Sequence, residues 1–118
     1  MSHNTLPQLF NEKNKMILDG KIVEASEKFY ASNTKTFDFT GTTTEGKKQH
    51  TQTMESFVGS IAKVNEISLH STAVGDNVTF AEFIFRFDMK DGSKINWHEI
   101  LMSKWKDGLI VEERYFQA

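Results

Sequence analysis

From Glu66 onward the chain alternates apolar and polar residues with a period of two, and three turn signals cut that stretch into segments. This is the feature that most narrows the possible folds, because a period of two is the signature of strands with one buried face. The turn signals are Gly75-Asp76-Asn77, Asp91-Gly92 and Asp107-Gly108. Asp-Gly is a strong two-residue hairpin signal, since a type I′ turn needs positive φ at both central residues. Four consecutive strands joined by tight turns make an antiparallel meander. The segments are about a dozen residues or more, longer than the usual strand, which predicts a strongly bent sheet.

The first half reads as helical. Thr5-Leu6-Pro7-Gln8 has capping-box spacing with Pro in the first turn. Leu6, Leu9, Phe10 and Ile17 follow a helical stripe that Gly20 ends. Asp19 is placed to cap a second helix with Ile22, Ala25 and Phe29 on its apolar face. Thr36-Phe37-Asp38-Phe39-Thr40 alternates and reads as a short strand. A third helix is predicted from about Lys47 to Val64, with Met54, Phe57, Val58 and Ile61 as its stripe and His50 on the same face. The order is α+β: helices on one side of a curved antiparallel sheet.

The 118 residues make a single domain, 1–118, and 38% hydrophobic with 25% charged residues argues against disorder. A net charge of −2 gives no footprint for nucleic acid or an anionic membrane. Cysteine is absent, which excludes disulfides, thiol catalysis and thiolate metal sites. The four His residues lack metal-ligand spacing, so no metal is expected. Met1-Ser2-His3-Asn4-Thr5 shows no basic-then-apolar leader, and no apolar run approaches the roughly 18 residues of a membrane span, so the expected setting is cytoplasmic.

If both Asp-Gly turns are two-residue loops, the strand register follows. Arg86 then opposes Trp97, Ile84 opposes Glu99, and Leu101 opposes Glu82 on one side and Arg114 on the other. One face collects Glu82, Trp97, Glu99, Trp105 and Arg114; the other collects Phe83, Phe85, Phe87, Ile100, Met102 and Tyr115. A sheet in a monomer needs only one buried face, so a second large apolar face implies a partner surface. The alternative from patterning alone is that the Phe-rich face is the core and the charged face is wet. Two tryptophans on the charged face favour the first assignment.

Several local strings bear a family resemblance. They are Phe29-Tyr30-Ala31-Ser32-Asn33, Phe37-Asp38-Phe39-Thr40-Gly41, Glu45-Gly46-Lys47-Lys48, Gly75 through Glu82, and Trp105 through Phe116. In their order and spacing the chain resembles the SnoaL-like branch of the nuclear transport factor 2-like superfamily, with its polyketide cyclases and ketosteroid isomerases. The resemblance covers essentially the whole chain. It implies the cystatin-like cone: three N-terminal helices packed on a strongly curved antiparallel sheet, with a pocket at the wide end. It also implies dimers through the outer sheet face, here Phe83, Phe85, Phe87, Ile100, Met102 and Tyr115. The implied partner is a small hydrophobic or polycyclic ligand, with no cofactor.

For chemistry, the resemblance puts Asp38 at the position of the isomerase general base, where an apolar pocket would raise a carboxylate's pKa. The oxyanion donors are not matched: the first helix has no Tyr, and the second donor aligns with Leu101. Ketosteroid isomerase activity itself is therefore not implied. Glu82, Glu99 and Arg114 are similar in type to the acid–Arg–acid sets of limonene epoxide hydrolases, with different spacing. Glu99 is the second candidate acid or base; Glu82 and Arg114 are candidate polar anchors. His50 is a candidate imidazole near the pocket mouth, and Trp97 and Trp105 are candidate pocket walls. Each has a structural alternative: Asp38 pointing to water, a buried ion-pair network, a surface His, and a core Trp105. The function expected is a cofactor-free isomerase, lyase or cyclase, or a non-catalytic ligand-binding or dimerisation module.

Overall fold

A computed structural model describes residues 5–118; Met1–Asn4, the stretch in which no leader pattern is read, lie outside the described residues. Helix α1 spans Leu6–Leu18. Its capping box is formed: Thr5 Oγ1 accepts the Gln8 amide at 3.4 Å and Gln8 Oε1 accepts the Thr5 amide at 2.9 Å. Gly20, at φ +80°, takes the left-handed turn that ends it. Helix α2, Ile22–Phe29, follows with Lys21 rather than Asp19 at its N-cap. It runs directly into strand β1, Tyr30–Phe37. A short strand β2, Thr43–Glu45, precedes helix α3, Lys47–Gly59. The long strands are β3 Ile61–Val74, β4 Val78–Met89, β5 Lys94–Lys106 and β6 Leu109–Gln117.

Three boundaries differ from expectation. The first strand starts six residues earlier, at Tyr30 rather than Thr36, and Asp38 to Thr40 lie past its end. The third helix stops at Gly59, because Ile61 and Val64 pair with Met89 and Phe87 of β4. Sheet partners here outweigh a helical spacing that periodicity alone favoured. The six strands are ordered β2-β1-β6-β5-β4-β3, and β1 runs parallel to β6, so the sheet is mixed rather than purely antiparallel. It is not strongly curled. Bulges in β3 and β6 accommodate the strand length by resetting register locally.

The strand register differs from the expected one. The β4–β5 connection is a three-residue loop: the Met89 amide bonds the Ser93 carbonyl at 2.9 Å, and only Gly92 has positive φ. Asp91 stays in ordinary backbone space, where its carboxylate accepts the Ser93 amide at 2.9 Å. This is the turn-plus-bulge hairpin rather than type I′. The pairing slips by one residue: Trp97 opposes Phe85, Glu99 opposes Phe83, and Leu101 opposes Ala81. The β5–β6 turn is type I′ as read, with Asp107 at φ 54° and Gly108 at φ 79°. Val111 then bulges, so Glu113 opposes Ser103 and Tyr115 opposes Leu101.

Both slips have one consequence. Phe83, Phe85 and Phe87 share the inner face with Trp97, Glu99, Leu101 and Trp105. They are core residues beneath the helices, not an outer dimer face, and Tyr115 joins them on the inside. Glu82 and Arg114 are outside. The core closes with Phe10, Ile17, Ala25 and Phe29 from α1 and α2. The three phenylalanines stack in series, with centroids 5.2 and 5.9 Å apart.

Phe83 is fully buried at 0% exposure. Phe83→Ala should cost about 3–5 kcal/mol of unfolding free energy in a urea titration. A loss within about 0.5 kcal/mol, as at a surface site, would contradict this register.

Candidate functional site

Between the helices and the inner sheet face lies a cavity of about 500 Å³. Ile17, Ala25, Phe57, Phe87, Trp97 and Leu101 give it apolar walls. Lys13, Ser26, Tyr30, His50, Glu99 and Tyr115 give it a polar side.

Glu99 reaches the cavity because β5 alternates and Trp97 and Leu101 flank it on the same face. It is 6% exposed. Among the described residues no hydrogen-bond donor or cation reaches its carboxyl. Burial, and then the charge of nearby Glu113, push its pKa up to about 7. Near neutral pH this group holds or releases its proton with equal ease, the condition for acid–base work.

Glu113 is the opposite case. It is 0% exposed, yet three donors saturate it. Lys13 Nζ donates to Oε2 at 3.2 Å, Ser103 Oγ donates to Oε2 at 2.6 Å, and the Tyr30 hydroxyl donates to Oε1. Burial alone would raise its pKa, but the Lys13 ammonium and the two hydroxyls outweigh burial and keep it below the usual carboxylate value. Lys13 itself is 2% exposed and sits on the buried stripe Phe10, Lys13, Asn14, Ile17 of α1.

His50 is buried in the first turn of α3. Its Nδ1 shares a 2.6 Å hydrogen bond with Ser26 Oγ, and its Nε2 lies 3.4 Å from the Tyr115 hydroxyl. The ring stacks on Tyr30 with centroids 4.3 Å apart. Burial pushes the imidazole pKa down, so the ring is neutral near pH 7. Burial likewise raises the Tyr30 and Tyr115 phenols, which stay protonated.

The other expected residues separate. Asp38 lines the cavity beyond the end of β1, but its Oδ1 accepts the Thr40 hydroxyl at 2.6 Å and the Thr40 and Thr42 amides at 2.9 Å each. The Thr40 hydroxyl first, then the amides, hold its pKa below the ordinary value. It is an ionised turn cap, not a carboxyl raised by an apolar pocket. Trp97 is a cavity wall, stacked on Phe57 at 5.5 Å with Phe39 edge-on at 5.7 Å. Trp105 is core: it packs edge-on against Phe29 at 6.3 Å, and its indole donates to Thr79 Oγ1 at 3.0 Å.

Glu82 lies on the outer face, bonded to His98 and to Ser71 Oγ. Arg114 is also outside, its guanidinium 4.0 Å from the Phe37 ring centre. The acid–Arg–acid set is therefore not assembled; the three-residue hairpin loop and the Val111 bulge put its members on opposite faces. Sequence reading missed Lys13, Ser26, Tyr30 and Glu113. Lys13 carried a usable signal, since a lysine on an otherwise buried helical stripe needs a buried acid.

No family model matches the sequence, and no curated protein matches it. Solved structures do. A protein from Mesorhizobium loti described as a SnoaL-like polyketide cyclase superposes with a TM-score of 0.85 at 20% identity, covering 96% of this chain and 99% of that one. The fold is that of the nuclear transport factor 2-like proteins. A protein with a ketosteroid isomerase-like fold from Catenulispora acidiphila, solved in complex with trimethylamine, has a TM-score of 0.77 at 13% identity, the match covering 97% of this chain and 88% of that one. A nuclear transport factor 2-like protein from Burkholderia pseudomallei scores 0.76 at 10% identity, covering 94% and 88%.

The Glu99 shift makes a stability prediction. A carboxyl whose folded pKa lies above its unfolded value of 4.5 holds an extra proton in the native state between those pH values. It therefore stabilises the fold below about pH 4.5, and that contribution is lost as pH rises through about 7. Glu99→Gln removes the loss. Urea titrations should show the variant level with the parent near pH 4.5 and on the order of 3 kcal/mol more stable at pH 8. An equal offset at both pH values would contradict the assignment.

Proposed function

We propose that this chain binds a small hydrophobic or polycyclic molecule in the cavity and acts on it without a cofactor, as an isomerase, lyase or cyclase, with Glu99 moving the proton. One observation carries this: a buried carboxyl with no partner among the described residues, titrating near neutrality, faces an apolar space of ligand size. Asp38, the base that the resemblance implies, is weaker support, because its hydrogen bonds stabilise the ionised form. Trp97 and Phe57 are the stacking wall. His50 and Tyr115 are neutral hydrogen-bonding partners for a polar substituent.

Hydrogen exchange next to a carbonyl tests the reading directly. In D₂O, the protein should speed deuterium uptake into bicyclic ketones, plain and amino-substituted, by about 10²-fold over Glu99→Gln. The rate should rise through pH 7 as the carboxyl ionises. Equal rates for protein, variant and buffer across the panel would overturn the catalytic reading. The second reading, a non-catalytic binding module, is supported by the lack of any second proton-moving group hydrogen-bonded to Glu99. We propose a cytoplasmic setting as part of the same reading; among the described residues no helix is long and apolar enough to cross a membrane.

We also propose a homodimer through the outer sheet face, with a membership different from the one expected. Phe80 pairs with Met102 across β4 and β5, and Ile100 pairs with Phe116 across β5 and β6. Phe80 and Phe116 are 40% and 48% exposed. Glu82 and Arg114 lie within these rows, opposite Ile100 and Met102, and Lys104 pairs with Glu112 beside them, so the face carries both signs of charge. Sedimentation should show a dimer that Phe116→Glu converts to a folded monomer; a monomeric parent protein would refute it.

A further inference from the structure

The cavity's charges are unevenly paired. Among the described residues, Lys13, Asp38 and Glu99 are the ionisable side chains of full charge that line it. The positive one is committed: Lys13 is held by Glu113, whose carboxylate in turn is saturated by Ser103 and Tyr30. Among the described residues the two acids have no cation. Asp38 is anchored by hydroxyl and amide donors, and Glu99 is buried with none at all. His50 is neutral, and Tyr30 and Tyr115 stay protonated, so nothing facing Glu99 from α1, α3, β1 or β6 offsets a negative charge there. The nearest fixed charge, Glu113, repels it. The rings of Trp97, Phe57, Phe85 and Phe87 wall the same cavity, and the face of an aromatic ring favours a cation over an anion.

We propose that the ligand of this cavity carries a basic nitrogen: a hydrophobic amine whose ammonium group pairs with the Glu99 carboxylate while its hydrocarbon body packs on Trp97 and Phe57. This rests on the cavity being a ligand site, and it names the class of molecule taken. The proton balance is simple. A ligand arriving as the ammonium ion meets protonated Glu99 below neutrality, the ion pair forms, and the Glu99 proton leaves to solvent. A ligand arriving as the free amine takes that proton itself, and the same pair results. A carboxylate ligand would bring a third negative charge beside two acids, with the one lysine already spent.

The test uses three naphthalenes of similar size: 1-naphthylmethylamine, 1-acetonaphthone and 1-naphthoate. Calorimetry on the unmodified protein should find the amine bound tightest at pH 8. Its affinity should fall about tenfold per pH unit below pH 7, the range in which Glu99 becomes protonated. Near pH 5 about one proton should be released per amine bound, read from two buffers of different ionisation enthalpy. Glu99→Gln should lose the amine's preference and its pH dependence while still binding the ketone. Ketone affinity that equals or exceeds that of the amine at pH 8, or amine binding indifferent to pH, overturns the amine inference and leaves the cavity reading standing. Tightest binding of the naphthoate overturns it as well. No binding of any of the three overturns both.

Discussion

The Glu113 carboxylate is the point on which the structure turns. It is a full charge at the junction of the helices and the sheet, and water does not reach it. A buried charge of this kind survives only where its partners are fixed in place. Here those partners come from three different elements: Lys13 from α1, Tyr30 from the start of β1, and Ser103 from β5, while Glu113 itself is on β6. The helix layer is thereby locked to the sheet at one lateral position. The same charge also acts across the cavity. It helps raise Glu99, and its hold on Lys13 removes the one cation that could have neutralised the site.

Two carboxylates near one cavity illustrate how environment assigns roles. Asp38 and Glu99 are chemically alike in water. At Asp38 the turn wraps its own amides and a hydroxyl around one oxygen, and the ionised form is favoured. At Glu99 the strand delivers the carboxyl among aromatic rings with no donor, and the neutral form is favoured. Phe37 and Phe39 flank Asp38 in sequence, yet its pKa is lowered. What decides the matter is the donor count at the oxygen rather than the polarity of neighbours in sequence.

One residue of register separates two different proteins in principle. With a two-residue β4–β5 loop, Phe83, Phe85 and Phe87 would face away from Trp97 and Glu99. With the three-residue loop they line up with them. Asp91 and Gly92 are compatible with either, because the left-handed position can be taken by both residues or by Gly92 alone. The choice falls to burial: the observed register puts the apolar rows of β4 and β5 on one side, against α1, α2 and α3. The hydrophobic free energy of a common face exceeds the small preference among turn types. At Val111 a bulge makes the matching adjustment for β6, turning Glu113 and Tyr115 inward.

Element order apart from the short strand β2, the capping box at Thr5, the hairpin positions and the α+β class were determined locally, since caps, turns and periodicity depend on residues a few positions apart. His50, Trp97 and Glu99 became site candidates only when the family resemblance was set beside that pattern. Pairing was not local. Whether β1 lies beside β6, which of two registers β4 and β5 adopt, and that Lys13 meets Glu113 a hundred residues away are settled only when all layers bury their apolar faces together. Those long-range choices placed Glu82 and Arg114 in the open, brought the phenylalanines inside, and left Glu99 without a partner, because a strand has two faces and only the assembled core says which one is dark.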